Sequence, residues 1–149
     1  MIPRWHILFG ALFAALIWVA APKTNLIFIL LVFLSAFLID FDHYMCSVLK
    51  TKKLGLFHSF EYHKQMDREE KERKKKGIRQ KGDFHLFHTI EFHVLVGLLG
   101  LWWIGFFYIF LGMIFHSLLD IYSLLFIGRE MYRREFFLVA WIWKKFNRN

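Results

Sequence analysis

Four apolar stretches decide what this chain can become. They run over 5–21, 25–39, 88–103 and 106–127. Only Pro22-Lys23-Thr24 separates the first pair, as a hairpin turn would, and Ile104-Gly105 separates the second. No stretch keeps the apolar–polar alternation of a half-buried strand, and prolines number only two. Runs of this kind read as membrane helices. About 20 residues cross a bilayer core, so the shorter runs need their aromatic ends or a thinner membrane. With 57% hydrophobic residues and nineteen phenylalanines in 149 positions, the composition is wrong for a soluble domain. The expected fold is all-α: one domain over 1–149, an integral membrane bundle of four transmembrane helices.

The net charge of +8 invites two explanations, nucleic acid or topology, and its placement decides between them. If the N-terminus is cytoplasmic, nineteen of the twenty Lys and Arg lie on the inner side and only Lys23 lies outside. Such a bias orients a membrane protein with both termini in the cytoplasm, here at a plasma (inner) membrane. Anionic lipid then accounts for the basic charge, and no nucleic-acid partner is expected. Arg4 before an apolar run ending Val19-Ala20-Ala21 also outlines a secretory signal, but the run resumes three residues on, which suits a hairpin better. Between the pairs lies a cytoplasmic loop, 44–84, whose centre MDREEKERKKKGIRQKG is too charged to build a core and reads as a solvated helix or mobile loop. The tail, 129–149, mixes aromatic and basic residues as an amphipathic helix on the inner leaflet does, which makes membrane lipid a partner. The single Cys46 supports neither an internal disulfide nor a cysteine-based zinc site.

Against this background eight histidines and several carboxylates need a reason. Ionisable groups in or beside membrane helices are costly and point to function. His6 opens the first run; Asp40, Asp42 and His43 close the second; His85, His88 and Glu91 stand at the entry to the third; His116 and Asp120 lie in the inner half of the fourth. In antiparallel helices all of these fall on the cytoplasmic side. His88 and Glu91 are three apart, and His116 and Asp120 four apart, so each pair shares a helical face. Bundles build metal sites from such pairs. Asp40 and Asp42 are two apart and serve one site only where the helix unwinds. Imidazole with carboxylate suits a divalent transition metal, Zn²⁺ with Mn²⁺ or Fe²⁺ as alternatives, and the donors suffice for one or two ions.

A heptapeptide also recurs. FHTIEFH, from Phe87 to His93, has a near copy FHSFEYH from Phe57 to His63. The copy is either a second ligand segment folding back under the bundle, with His58 and Glu61, or a chance match between aromatic-rich segments.

The order of His6 in WHILFG, then Asp40-Phe-Asp-His43, a histidine-rich third block, and Gly112-Met-Ile-Phe-His116-Ser-Leu-Leu-Asp120 resembles the membrane-bound metal-dependent hydrolase family. These are inner-membrane-associated hydrolases distantly similar to zinc-dependent phospholipase C. The likeness covers nearly the whole chain outside the charged loop and tail. It departs where members commonly have Pro and this chain has Ile39. In the third block members often carry His-Arg-Gly-x-Thr-His-Ser, whereas His88-Thr-Ile-Glu-Phe-His93 keeps only the histidine spacing. Either His88 and His93 or His88 and Glu91 then form the pair. The resemblance implies a hydrolase acting on a phosphoester or lipid substrate through a metal-activated water. On this reading His6, Asp42, His88, His116 and Asp120 are the metal ligands, with Asp40, Glu91 or His43 as general base or supporting group. The alternatives are a non-enzymatic metal protein, structural or transporting, and a scaffold acting through its basic loop. A transporter needs polar groups near the bilayer midplane, and Leu12–Val19 and Val94–Trp103 offer none. The loop lacks the interleaved aromatics that stack on bases.

Overall fold

The computed structural model describes residues 3–127 and 131–147, and every regular element among them is helical. Helix α1 (Pro3–Ala20) starts on a proline, whose missing N–H costs nothing there, and ends before the turn containing Pro22. Helix α2 (Leu26–Leu38) starts at Asn25, whose side chain accepts the N–H of Ile27 at 2.9 Å. A two-residue break at Ile39 and Asp40 separates it from α3 (Phe41–Thr51). The charged segment is helical as α4 (Leu56–Lys75). A single 3₁₀ turn, Leu86–His88, precedes α5 (Ile90–Leu99), which is capped by Thr89. Helix α6 (Ile104–Tyr122) widens into a π-type turn, Ser123–Ile127, and α7 (Leu138–Phe146) closes the chain.

Two stretches are long and apolar enough to cross a membrane: Leu26–Thr51, which is α2 continued by α3, and Ile104–Ile127. The other two apolar helices are shorter, and this corrects the expectation of four full spans. Helix α5 has 10 residues, which at 1.5 Å per residue gives about 15 Å, half a bilayer core. The expected 88–103 run fails at both ends. Thr89 is extended, with ψ 150°, and the chain turns at 100–103. The 44–84 segment is no simple loop either, because α3 and α4 occupy most of it. Of the tail, α7 forms over 138–146, and 129, 130, 148 and 149 lie outside the described residues. Arg129 and Arg148 of the charge count are among these.

Helix α2 is central, packed against α1 and α6, and α5 packs against α6. Ala14, Ile29 and Val32 form one core cluster; Ile39, Val96 and Met113 form another. The polarity is inverted relative to a soluble bundle. His6 and His116 are the largest fully buried side chains, while Leu12, Leu16, Val19, Ile27, Leu98 and Leu118 face outward.

The closest approach is between α2 and α6 at Gly112. A Cβ there would collide with Ser35 Oγ and the Val32 carbonyl, and would stand 3.1 Å from the Ala36 nitrogen. Small residues let helices approach in this way. One turn further along α6, the Nδ1–H of His116 donates to the Ala36 carbonyl at 2.8 Å. Gly112→Leu should therefore destabilise the fold by about 1–3 kcal/mol through overpacking. It should also separate His116 from Ala36, lowering metal retention in the purified protein, while Gly77→Ala in open space leaves retention unchanged.

Candidate metal centre

Three helices, one helix break and one 3₁₀ turn deliver polar groups to the same interior region. His6 comes from the first turns of α1, Asp40 from the break after α2, Asp42 and His43 from the start of α3, His85 and His88 from the approach to α5, and His116 with Asp120 from α6. Four overlapping donor groups result: His6, Asp40 and His116; Asp40, His43 and His88; Asp42, His43 and His85; and His88, His116 and Asp120. Within each, one ligand atom per residue lies within 4.8 Å of the others. The broken helix expected at Asp40 and Asp42 is present, and it lets both carboxylates reach the cluster.

Hydrogen bonds assign the tautomers of the two central imidazoles. The Nδ1–H of His88 donates to Asp42 Oδ2 at 3.0 Å, and the Nδ1–H of His116 donates to the Ala36 carbonyl. Each neutral ring then carries its lone pair on Nε2, and the two Nε2 atoms face each other at 3.1 Å. Two lone pairs at that distance repel unless a proton or a cation stands with them. The surroundings favour a positive charge. Asp40 Oδ1 lies 3.4 Å from His116 Nε2, and Asp120 Oδ2 lies 3.5 Å from it. His6 stacks on His116 at 4.0 Å and directs Nε2 to Asp120 Oδ1 at 3.2 Å. Its buried Nδ1 has no hydrogen-bond partner among the described residues.

A second pole lies at Asp42. Oδ2 accepts the N–H of Phe87 at 3.1 Å besides His88, whereas Oδ1 faces His85 Nδ1 at 3.5 Å. Both facing atoms are buried and have no hydrogen-bond partner among the described residues. Unpartnered buried polar atoms are costly, and a divalent ion between Asp42 Oδ1 and His85 Nδ1 would satisfy both. Burial, then repulsion from the His88 side, pushes His85 down to about 3, so it is neutral and ready to act as a donor. Imidazole with carboxylate is a fitting donor set for a transition metal. His43, 35% exposed, is the most open of the set, and its Nε2 is 3.4 Å from Asp40 Oδ1.

The loop copy of the heptapeptide folds back, but through other residues than expected. His58 and Glu61 are exposed and pair with each other at 3.6 Å. Instead Ser47 Oγ donates to Ser59 Oγ at 2.7 Å, Tyr62 donates to Asp83 at 2.9 Å, and His63 Nε2 donates to the His43 carbonyl at 3.1 Å. Burial would raise Asp83, but hydrogen bonds from Lys50, Cys46 and Tyr62 hold its carboxyl low and ionised. Two residues before His85, that carboxylate ties the incoming segment to α3 and α4.

His88 and Glu91 do not share a face, because Thr89 breaks the helix between them. Glu91 belongs to none of the donor groups among the described residues. It accepts the N–H of Leu138 at 2.9 Å and of Val139 at 3.1 Å, capping α7. His93 is buried and braces α5 to α6, with Nδ1 donating to the Thr89 carbonyl at 2.8 Å and Ser117 Oγ donating to Nε2 at 2.9 Å. Among the described residues, neither expected pair falls within one donor group. Sequence reasoning left His85 off the ligand list, although its position three residues before His88 was a signal. It also missed Arg134, whose Nη2 donates to Asp120 at 2.7 Å.

No family model, curated protein or solved structure matches the chain. The class is defined by the molecule alone: an all-helical chain with two helices able to cross a membrane and a buried His/Asp cluster able to hold a metal ion.

Glu91→Ala should leave metal content unchanged. Removing the cap should cost α7 about 1 kcal/mol and raise proteolysis around Phe136–Leu138. Loss of metal in that variant would return Glu91 to the site.

Proposed function

We propose that this chain is an integral membrane, metal-dependent hydrolase that acts on a phosphoester, a phospholipid among the substrates its location offers. The observation that carries this reading is the facing Nε2 pair of His88 and His116, with both Nδ1 protons committed elsewhere, amid three carboxylates. A structural ion needs only a closed set of four ligands. Here the donors exceed four and divide into two neighbouring poles linked through the group of Asp40, His43 and His88. Zn²⁺ suits them best, with Mn²⁺ or Fe²⁺ as alternatives, in one or two sites. A divalent ion there supplies Lewis-acid polarisation of a phosphoryl oxygen and a water acidic enough to attack it.

The chain's own residues do the rest. Asp42 and the Ala36 carbonyl fix the tautomers and ring angles of His88 and His116. His43 is the most exposed imidazole of the cluster and has Asp40 beside it, so it is placed to take a proton from water and pass it outward. The apolar outer faces of α1, α2 and α6 keep bulk water from the buried side.

The membrane arrangement belongs to the same proposal. Helices α1 and α2 form one hairpin, α5 and α6 another, so each returns the chain to the face it left. The 19-to-1 distribution of Lys and Arg makes that face cytoplasmic. In a Cys46→Ala background, Lys23→Cys should react with an impermeant maleimide from outside. Lys75→Cys should react only after permeabilisation. The reverse pattern would overturn the orientation.

Metal and hydrolysis are tested together. Wild-type protein should purify with, or take up, a stoichiometric transition metal. Histidine ligands must be neutral, so acidification should release the metal as they protonate. His116→Ala should hold no metal. Asp120→Asn should fold, bind metal weakly, and lose phosphoester hydrolysis by about 100-fold or more. Protein that holds metal but cleaves no phosphoester in a broad screen would indicate a structural ion.

A further inference from the structure

Among the described residues the C-terminal segment reaches the cluster through the Arg134 side chain, and its attachment there is elaborate. The Arg133 carbonyl accepts the N–H of Gly82 at 2.9 Å, and the Phe136 carbonyl accepts the N–H of Ile90 at 2.9 Å. Glu91 caps α7, Trp141 stacks on Phe84 at 4.2 Å, and Glu135 pairs with Lys81 and Lys144. These tethers fix 133–136 against the segment that carries His85 and His88. Between them the Arg134 side chain, only 13% exposed, runs to Asp120 Oδ2.

That placement does not serve cation binding. A guanidinium one hydrogen bond from a metal-binding carboxylate repels the ion which that carboxylate holds. The conflict disappears when an anion lies between metal and arginine, as a phosphoryl group does. The guanidinium has the capacity for it. Of five N–H groups, only one on Nη2 donates to a partner among the described residues. Charge points the same way. With Asp40, Asp42 and Asp120 ionised, Arg134 and one divalent ion bring these groups to neutrality, and a second ion makes them positive by two.

We propose that Arg134 is the anion-binding arm of this site, donating from its unused N–H groups to a phosphoryl oxygen of the substrate. The proposal rests on the phosphoester reading above and adds the residue that recognises the phosphoryl group. Asp120 acts as the hinge, holding the guanidinium in place before substrate arrives. A planar fork suits two phosphoryl oxygens, which a lysine meets only as a point charge.

The test uses full-length protein in detergent, metal-loaded, as wild type, Arg134→Gln and Arg134→Lys. Metal content is measured by elemental analysis. Binding of inorganic phosphate and of a short-chain phosphatidic acid is measured by calorimetry. Wild type should bind at least one of the two anions only when metal is present. Arg134→Gln should keep its metal and bind that anion about 10- to 100-fold more weakly. Arg134→Lys should recover part of the loss, and it carries the test if the glutamine variant does not fold. An effect on free phosphate alone, or on the lipid alone, identifies the source of the phosphoryl group. Where hydrolysis is measurable, KM should rise more than kcat falls.

Undiminished anion binding in both variants would overturn the proposal and leave Arg134 as a counter-ion of Asp120. Loss of metal in both would overturn it in favour of a role in orienting Asp120. Wild type that binds neither anion would overturn the proposal while leaving the metal centre intact. Metal-dependent anion binding that needs Arg134, without any turnover, would uphold it and remove the hydrolase reading instead.

Discussion

Two imidazole nitrogens 3.1 Å apart, each stripped of its proton by a bond on the other side of the ring, set the terms for the rest of this molecule. To hold them, α6 must press against α2 closely enough for His116 to reach the Ala36 carbonyl. Gly112 against Ser35 permits that contact. The chain must also bring His88 in on a non-helical approach, which Asp42 secures through the Phe87 N–H and the His88 ring. Helix α2 must break at Ile39 and Asp40, since an unbroken helix would turn Asp40 and Asp42 to different sides. Both of these irregularities occur where the cluster requires them.

The inversion of polarity follows from the same requirement. Buried ionisable groups are tolerable only when paired or bound. The interior of this bundle carries the pairing, and its outer faces carry the apolar residues. The apolar cluster of Ala14, Ile29 and Val32 lies further along the helices than the polar end, whereas that of Ile39, Val96 and Met113 lies beside it. Cohesion and ion binding thus adjoin at the break after α2, where Ile39 packs in the core and Asp40 joins the cluster. The short α5 serves cohesion within its 10 residues, with His93 locked to Ser117 and Val96 in the core.

Much of this was legible in the sequence where helical periodicity held. His116 and Asp120 sit in the middle of a long helix, so a spacing of four placed both on the cluster. His6 likewise follows from its place at the start of α1. The break at Asp40 was legible because carboxylates two apart cannot share a helical face. Periodicity failed where the backbone left the helix. Thr89, extended at ψ 150°, turns His88 toward Asp42 and Glu91 toward α7, although three-residue spacing had put them together. The number of full spans was overread for the same reason, because an apolar run of sixteen residues contained a ten-residue helix and a turn. Arg134 was illegible for another reason. It lies fourteen residues past Asp120, beyond any local period, and reaches the site only through tethers to Gly82 and Ile90.

The repeated heptapeptide makes the point within one chain. In FHSFEYH all seven residues are helical, so His58 and Glu61 fall together on the exposed face. Ser59, Tyr62 and His63 then fall on the face that meets α3 and Asp83. In FHTIEFH the same spacing straddles a 3₁₀ turn, an extended threonine and a helix start. There the first histidine enters the cluster, the glutamate caps a distant helix, and the last histidine braces two neighbours. What separates the two copies is the flanking chain. Gly55 before α4 starts a helix that runs on through charged residues, whereas Asp83, held by Lys50, Cys46 and Tyr62, fixes the approach to His85 before any helix can begin. The copy in α4 supplies one of those three bonds through Tyr62, and its His63 also steadies the His43 carbonyl. One copy of the motif therefore helps to hold the other in the conformation that binds.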